Sequence, residues 1–331
     1  MKKTLLALLL ALLIPLSHTA QALSFETGFM PSPKRTAKVL SFETESVFPL
    51  ENGAQGEAVT RVEERLIELG FTYGRADNRY DARTTAAVKW LERHLNTLPG
   101  YDFAVDGRVS EALNRVLMGD AFPVSAPLGV GSENSDVTRL QRRLLLLGYL
   151  AQVTGAYGPQ TAQAVCAFQR RNQLVASGQA DAATLGALYA KAAKPAVAAP
   201  QQTLVYVSIA DQAVSCYGWA QDGFTKLLKV FPCSTGLPES ETITGIYQTQ
   251  EHCGEWYYFG AFHVWAKYAI RIRGPYLFHS TLYSDQWDGS AQRASIRALG
   301  RKASHGCIRL AVADEKWLYE HTDPGFTVII Y

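Results

Sequence analysis

The stretch Val137-Thr138-Arg139-Leu140-Gln141-Arg142-Arg143-Leu144-Leu145-Leu146-Leu147-Gly148-Tyr149 has an upstream counterpart, Val59-x-x-Val62-Glu63-x-x-Leu66-x-x-Leu69-Gly70-Phe71. Apolar residues at i, i+3, i+7 and i+10 write an amphipathic helix in each copy. Gly148 and Gly70 then read as the glycines just past its end. The correspondence continues. Gly155-Ala156-Tyr157-Gly158-x-x-Thr161 matches Tyr80-x-x-x-Thr84, and Ala164-Val165-x-x-Phe168-Gln169 matches Ala87-Val88-x-x-Leu91-Glu92. These segments predict a turn and a second helix. A third helix is expected over about 110–118 in the first copy and 181–191 in the second. An internal repeat of this length means one structural unit built twice, here a small three-helix bundle.

The repeat resembles the peptidoglycan-binding domain family over residues 51–120 and 127–191. The first copy departs from the pattern, since Glu63 and Glu92 stand for glutamines and Leu91 for phenylalanine. The plainer reading makes both copies spacers, because the repeated apolar positions are core positions. Residues 23–50 form a polar lead-in with a short duplication, Leu23–Thr27 and Leu40–Thr44. After the second copy comes an Ala/Pro connector, 192–201, expected to hold the repeats apart from the C-terminal part of the chain.

From Leu204 the pattern changes to period two. Strands are expected at Leu204–Ile209, Ala213–Trp219, Lys226–Phe231 and Phe326–Tyr331. One helix is legible, about Ala313 to Glu320, with Asp314 and Glu315 in its first turn. Residues 202–331 therefore form a mostly β domain.

This domain contains Ser304-His305-Gly306-Cys307-Ile308-Arg309, with His279 upstream on an apolar run. Cysteine and histidine suffice for acyl transfer through a thioester, because the thiolate is the nucleophile and an imidazole can generate it. The segment resembles the YkuD-type L,D-transpeptidase family. Ser234-Thr235-Gly236 and Thr242-Ile243-Thr244-Gly245-Ile246-Tyr247 extend the match, with Ile243 where proline is usual and Ser280 where glycine is common. The spacer from His279 to Ser304 is long and implies an extra loop around Asp285 to Arg297.

The resemblance implies Cys307 as nucleophile and His279 as its base. It gives Ser304 and His305 a loop-shaping role, with the Ser304 carbonyl orienting His279. The backbone N–H groups of Gly306 and Cys307 would hold an oxyanion, and Arg309 would support the loop or meet a substrate carboxylate. Tyr268, Ser280, Trp256 and Tyr258 are candidates for substrate contact; the aromatic run 256–259 reads equally as a substrate-covering flap or as core. His94 and His321 read as surface residues. The implied fold is two small three-helix peptidoglycan-binding bundles followed by a mostly β L,D-transpeptidase domain. The implied partner is peptidoglycan, with a stem tetrapeptide as donor and a diaminopimelate-type amine as acceptor. No cofactor or metal is called for. Water as acceptor would make a carboxypeptidase, and a protein amine a protein-to-wall ligase. A papain-like endopeptidase is disfavoured, since His279 precedes Cys307. A wall-binding scaffold is the non-enzymatic alternative.

Composition sets the frame. The chain has 331 residues, 47% hydrophobic and 19% charged, the profile of a globular protein of two or three domains. Lys2, Lys3, an apolar run to Leu16 and Ala20-Gln21-Ala22 read as a secretory signal peptide over 1–22. The run is too short to span a bilayer. The expected location is the periplasm or cell wall, with no stable membrane span after cleavage. Without Lys2 and Lys3 the charges balance at 30 basic and 30 acidic residues, which disfavours nucleic acid. Five cysteines in an exported chain leave at least one thiol unpaired. Pairing about the Asp222 turn sets Cys216 opposite Lys229 rather than Cys233, which argues against that bridge.

Overall fold

A computed structural model describes residues 47–125, 127–287 and 289–331. The expected signal peptide and nearly all of the lead-in lie outside these residues. Six helices come first: α1 Glu57–Glu68, α2 Ala82–Leu95, α3 Glu111–Met118, α4 Ser135–Leu146, α5 Pro159–Arg171 and α6 Ala182–Tyr189. Gly70 and Gly148 end α1 and α4 at φ +75° and +73°. The N–H of Phe71 bonds the Leu66 carbonyl, and that of Tyr149 the Leu144 carbonyl. Both are Schellman closures, as the glycine spacing predicts. Ser110 and Asp181 cap the third helices with side-chain oxygens.

The two copies share one apolar core, from Val59, Leu66 and Leu91 to Leu140, Val165 and Phe168. Polar residues of the motif turn out to be internal scaffolding. Gln141 accepts from the N–H groups of Thr154 and Gly155 and donates to Thr161 and the Ala156 carbonyl. Glu63 accepts from Asp77 and Asn78 N–H and from the Thr84 hydroxyl. The guanidinium groups of Arg65 and Arg143 bond carbonyls at the ends of third helices, Leu117 and Leu188. His94 is buried rather than exposed: its ring lies 2.9 Å from Arg139 Nη1 and 3.2 Å from Asp136 Oδ1, between the copies.

The C-terminal domain holds a sheet of order β4-β10-β1-β2-β3-β9-β8-β7. Its strands are β1 Thr203–Ser208, β2 Ala213–Ala220, β3 Gly223–Ser234, β4 Gly245–Gln248, β7 Ile270–Arg273, β8 Tyr276–Ser280, β9 Ile308–Leu310 and β10 Thr327–Ile330. A separate hairpin pairs β5 Trp256–Phe259 with β6 Val264–Lys267. Helices α7 Arg293–Arg297 and α8 Val312–His321 complete the domain, α7 lying in the extra loop. Cys216 pairs with Lys229, as the turn count predicts, and all five cysteines are free thiols.

Period two decides which face each strand residue takes. Val205 and Val207 enter the domain's own core with Phe278, Ile308 and Leu318. Leu204 and Tyr206 face the other way and pack with Leu145 of α4, Phe224 and Ile329, with Tyr73, Leu146 and Trp219 beside them. The sheet is thus covered on both faces, and the helical copies supply one cover. The connector does not hold the parts apart: Ala196 and Ala199 are buried, and Ala196 N–H bonds the Leu147 carbonyl at 2.9 Å.

Candidate functional site

The site grows from a parallel strand pair. In β8 and β9, Phe278 pairs with Ile308, His279 with Arg309 and Ser280 with Leu310. Alternation sends Phe278, Ile308 and Leu310 into the core. It sends Leu277, His279, Cys307 and Arg309 to the opposite face, where they line a cavity of about 390 Å³. His279 and Cys307, distant in sequence, therefore face one cavity because β8 and β9 are neighbours in this register.

The loop before β9 is held by the motifs that accompany it. The Thr242 hydroxyl accepts from Gly236 N–H at 2.8 Å and donates to the Gly306 carbonyl at 2.9 Å. Ser304 N–H donates to the Thr235 carbonyl at 3.0 Å, and its hydroxyl donates to the Cys307 carbonyl at 2.5 Å. Gly306 sits at φ +107°, where a Cβ would lie 2.8 Å from the Tyr276 ring. Only glycine satisfies both conditions. Gly306 N–H donates to Ser304 Oγ at 3.1 Å, so it is engaged within the loop. The Ser304 carbonyl accepts from Leu237 N–H at 2.9 Å, while His279 Nδ1 meets the carbonyl of Ser280 at 2.7 Å. The orienting carbonyl for His279 is thus Ser280's rather than Ser304's.

The electrostatics favour a neutral resting pair. Burial holds His279 down at about 3, with Arg309 adding to the effect and the Ser280 carbonyl opposing it. Burial pushes the Cys307 thiol above its ordinary value, while a hydrogen bond from the Leu277 backbone and the charges of Arg309 and Arg271 pull it back. The sulfur lies 3.5 Å from the Pro275 carbonyl. Arg309 donates to the Ala303 carbonyl at 3.0 Å, and its Nε is buried without a partner. Its charge lies on the side of both groups that favours thiolate and neutral imidazole.

The β5–β6 hairpin roofs the cavity. Phe259 lies 4.7 Å from the His279 ring, and Phe262 stacks on His305 at 4.6 Å. Arg271 ties the roof to the floor, donating to the Tyr257 hydroxyl at 3.3 Å and the Gly274 carbonyl at 2.7 Å while ion-paired with Glu251. Of the expected contact residues, Tyr258 lines the cavity. The other three do not. Trp256 packs on Tyr283 and under Lys267 on the hairpin's far side. Tyr268 packs on Tyr319 of α8. Ser280 lies on the core face, where its hydroxyl accepts from Lys267 N–H at 2.8 Å and anchors the hairpin's root. Tyr257 and Phe259, from the run read as flap or core, line the cavity too, while Phe262, Leu277 and Arg271 line it without having been singled out in sequence. Leu277 was recoverable, since it lies two residues before His279 on one strand. Among the described residues no group of three His, Cys, Asp or Glu is placed to hold a metal.

Comparison with known proteins agrees with this division. Residues 55–117 and 133–188 match the family model described as "Putative peptidoglycan binding domain", and residues 202–330 match that of the L,D-transpeptidase catalytic domain. The Bacillus subtilis protein named "Putative L,D-transpeptidase YciB" is 33% identical over 102 residues, covering 29% of this chain and 52% of its own length. The N-acetylmuramoyl-L-alanine amidase CwlM of Mycobacterium tuberculosis is 33% identical over 176 residues, covering 48% of this chain and 40% of its own. The chain thus spans about half or less of the curated relatives it matches. Among solved structures, an L,D-transpeptidase from Mycobacterium smegmatis aligns at 18% identity and a TM-score of 0.33, over 40% of this chain and 60% of that one.

Proposed function

With residues 202–330 an L,D-transpeptidase catalytic domain of the YkuD type behind two peptidoglycan-binding domains, we propose that the whole chain is an exported peptidoglycan L,D-transpeptidase. The observation that carries this reading is that His279 of β8 and Cys307, which leads into the neighbouring β9, line one cavity under an aromatic roof. His279, neutral and buried, takes the thiol proton as sulfur attacks the carbonyl of the third residue of a stem tetrapeptide. The S–C bond forms, the C–N bond breaks, and the proton passes to the departing D-alanine amine. A side-chain amine of a neighbouring stem then attacks the thioester. The S–C bond breaks, a proton returns to sulfur, and a 3→3 cross-link results. Arg309 offsets the charge that develops on sulfur. The closed roof supports an amine acceptor over water, since water exclusion protects the thioester. The helical copies raise the local concentration of substrate.

Intact mass spectrometry of the mature protein with disaccharide-tetrapeptide, beside Cys307→Ala, tests the reading. An acyl adduct on the wild type alone, with D-alanine released and a 3→3 dimer formed, is the expected outcome. Tripeptide without dimer would make the protein a carboxypeptidase. No adduct on a folded, reduced protein would remove the enzymatic reading.

A further inference from the structure

A second cavity, of about 380 Å³, opens where both helical copies meet the catalytic domain. Tyr73 and Trp90 of the first copy form one side, and Thr244 and Tyr331 of the catalytic domain another. Arg142 enters from α4 of the second copy. Its guanidinium lies 4.9 Å from the Tyr73 ring and 5.4 Å from the Trp90 ring. One N–H bonds the Gly70 carbonyl at 3.0 Å, and the Nε is buried with no partner. No carboxylate among the described residues pairs with it. Neighbouring Arg83, by contrast, is paired with Glu63 and Asp77. Burial lowers Arg142 to about 10, which leaves it charged at neutral pH.

A half-buried charge without a counter-ion is costly, and a protein keeps one where something else completes it. A guanidinium fork matches a carboxylate in plane, and flanking aromatic faces suit the apolar edge of a sugar or peptide. We propose that this seam binds a carboxylate-bearing fragment of the wall polymer, with Arg142 on the carboxylate and Tyr73 and Trp90 flanking it. The proposal rests on the wall-directed function above. Two wall sources share this chemistry, the stem peptide and the acidic sugar. An occupant would touch both copies and the catalytic domain at once. It would also touch Thr244, two residues from the threonine that holds the Gly306 carbonyl.

The test uses the full mature chain, co-sedimentation with purified sacculi, and acylation of Cys307 by soluble disaccharide-tetrapeptide. Arg142→Gln removes the charge. Ala86→Trp fills the cleft from an exposed position on α2 and remains informative if the first variant folds poorly. Each is expected to weaken sacculus binding about tenfold, the scale of one charge-assisted hydrogen bond, with acylation kept. Competition by free tetrapeptide assigns the stem carboxylate, and competition by peptide-free disaccharide assigns the sugar; failure of both overturns the site. A wild type that binds and acylates, with variants that sediment like it, overturns the seam alone. A wild type that does neither overturns the wall reading and the seam with it.

Discussion

At the scale of single residues, the resting chemistry of Cys307 and His279 is set by burial. A thiol pushed up and an imidazole held at about 3 make a neutral pair, not a preformed thiolate–imidazolium. Alkylation of Cys307 by a small haloacetamide should therefore rise with pH along the thiol's own ionisation, well above neutrality. It should show no separate step near the usual histidine range of about 6–7. A step there that disappears in His279→Asn would show that the pair is charged at rest. In turnover, His279→Asn should cost about 10²–10⁴-fold, the range for losing a positioned base. Cys307 was legible because thiol, imidazole and glycine stand together at His305-Gly306-Cys307, and His279 because it stands on an apolar run upstream. Arg271 was not, because nothing local marks a strand arginine as the tie between roof and floor.

At the scale of elements, two polar side chains link segments that are far apart in sequence. Thr242 bridges Gly236 and Gly306 with one hydroxyl. Thr242→Val should cost about 1–3 kcal/mol, the penalty for stranding buried partners, and should lower acylation more than a remote change of equal destabilisation. Comparing kcat/KM with the shift in Tm across both variants checks this. Glu92 stands where the second copy has Gln169. Burial, with Asp106 adding to it, raises its carboxyl from 4.5 to about 7 against the Gly107 N–H bond. Because the folded value lies above the unfolded one, its stabilising protonation is complete below about 4.5 and lost as pH rises through about 7. Glu92→Gln should remove that slope and gain about 1–3 kcal/mol at pH 8, read from unfolding of both proteins at pH 5 and 8. Gln169, whose amide donates to the Gln179 carbonyl at 2.8 Å, shows how a glutamine satisfies the same place in the second copy.

At the scale of the whole molecule, the helical copies are docked onto the catalytic sheet. A Cβ on Gly148 would lie 2.3 Å from the Trp219 ring, and one on Gly74 would lie 2.6 Å from the Tyr331 ring. Arg75 lies 4.3 Å over Tyr217, and Arg79 is ion-paired with Asp211. Trp219→Ala should open this contact, with a loss of about 3–5 kcal/mol typical of a large aromatic truncation. Limited proteolysis should then cut the 192–201 connector faster than in the wild type. Equal rates would mean that the docking does not depend on Trp219.

The amino-acid sequence by itself determined the local devices: the heptad-like apolar spacing of α1 and α4, their closing glycines and the Cys216–Lys229 register. Each rests on spacing along one chain segment, where helix and strand periods translate directly into faces. Only the tertiary structure decided what those faces meet. It placed His94 at a buried seam, gave His279 the Ser280 carbonyl, and turned Trp256 and Tyr268 away from the cavity. It also pressed the Ala/Pro connector against the second copy. These outcomes depend on which distant surfaces bury each other, and a strand that is apolar on both faces, such as β1, does not say in sequence what covers each one.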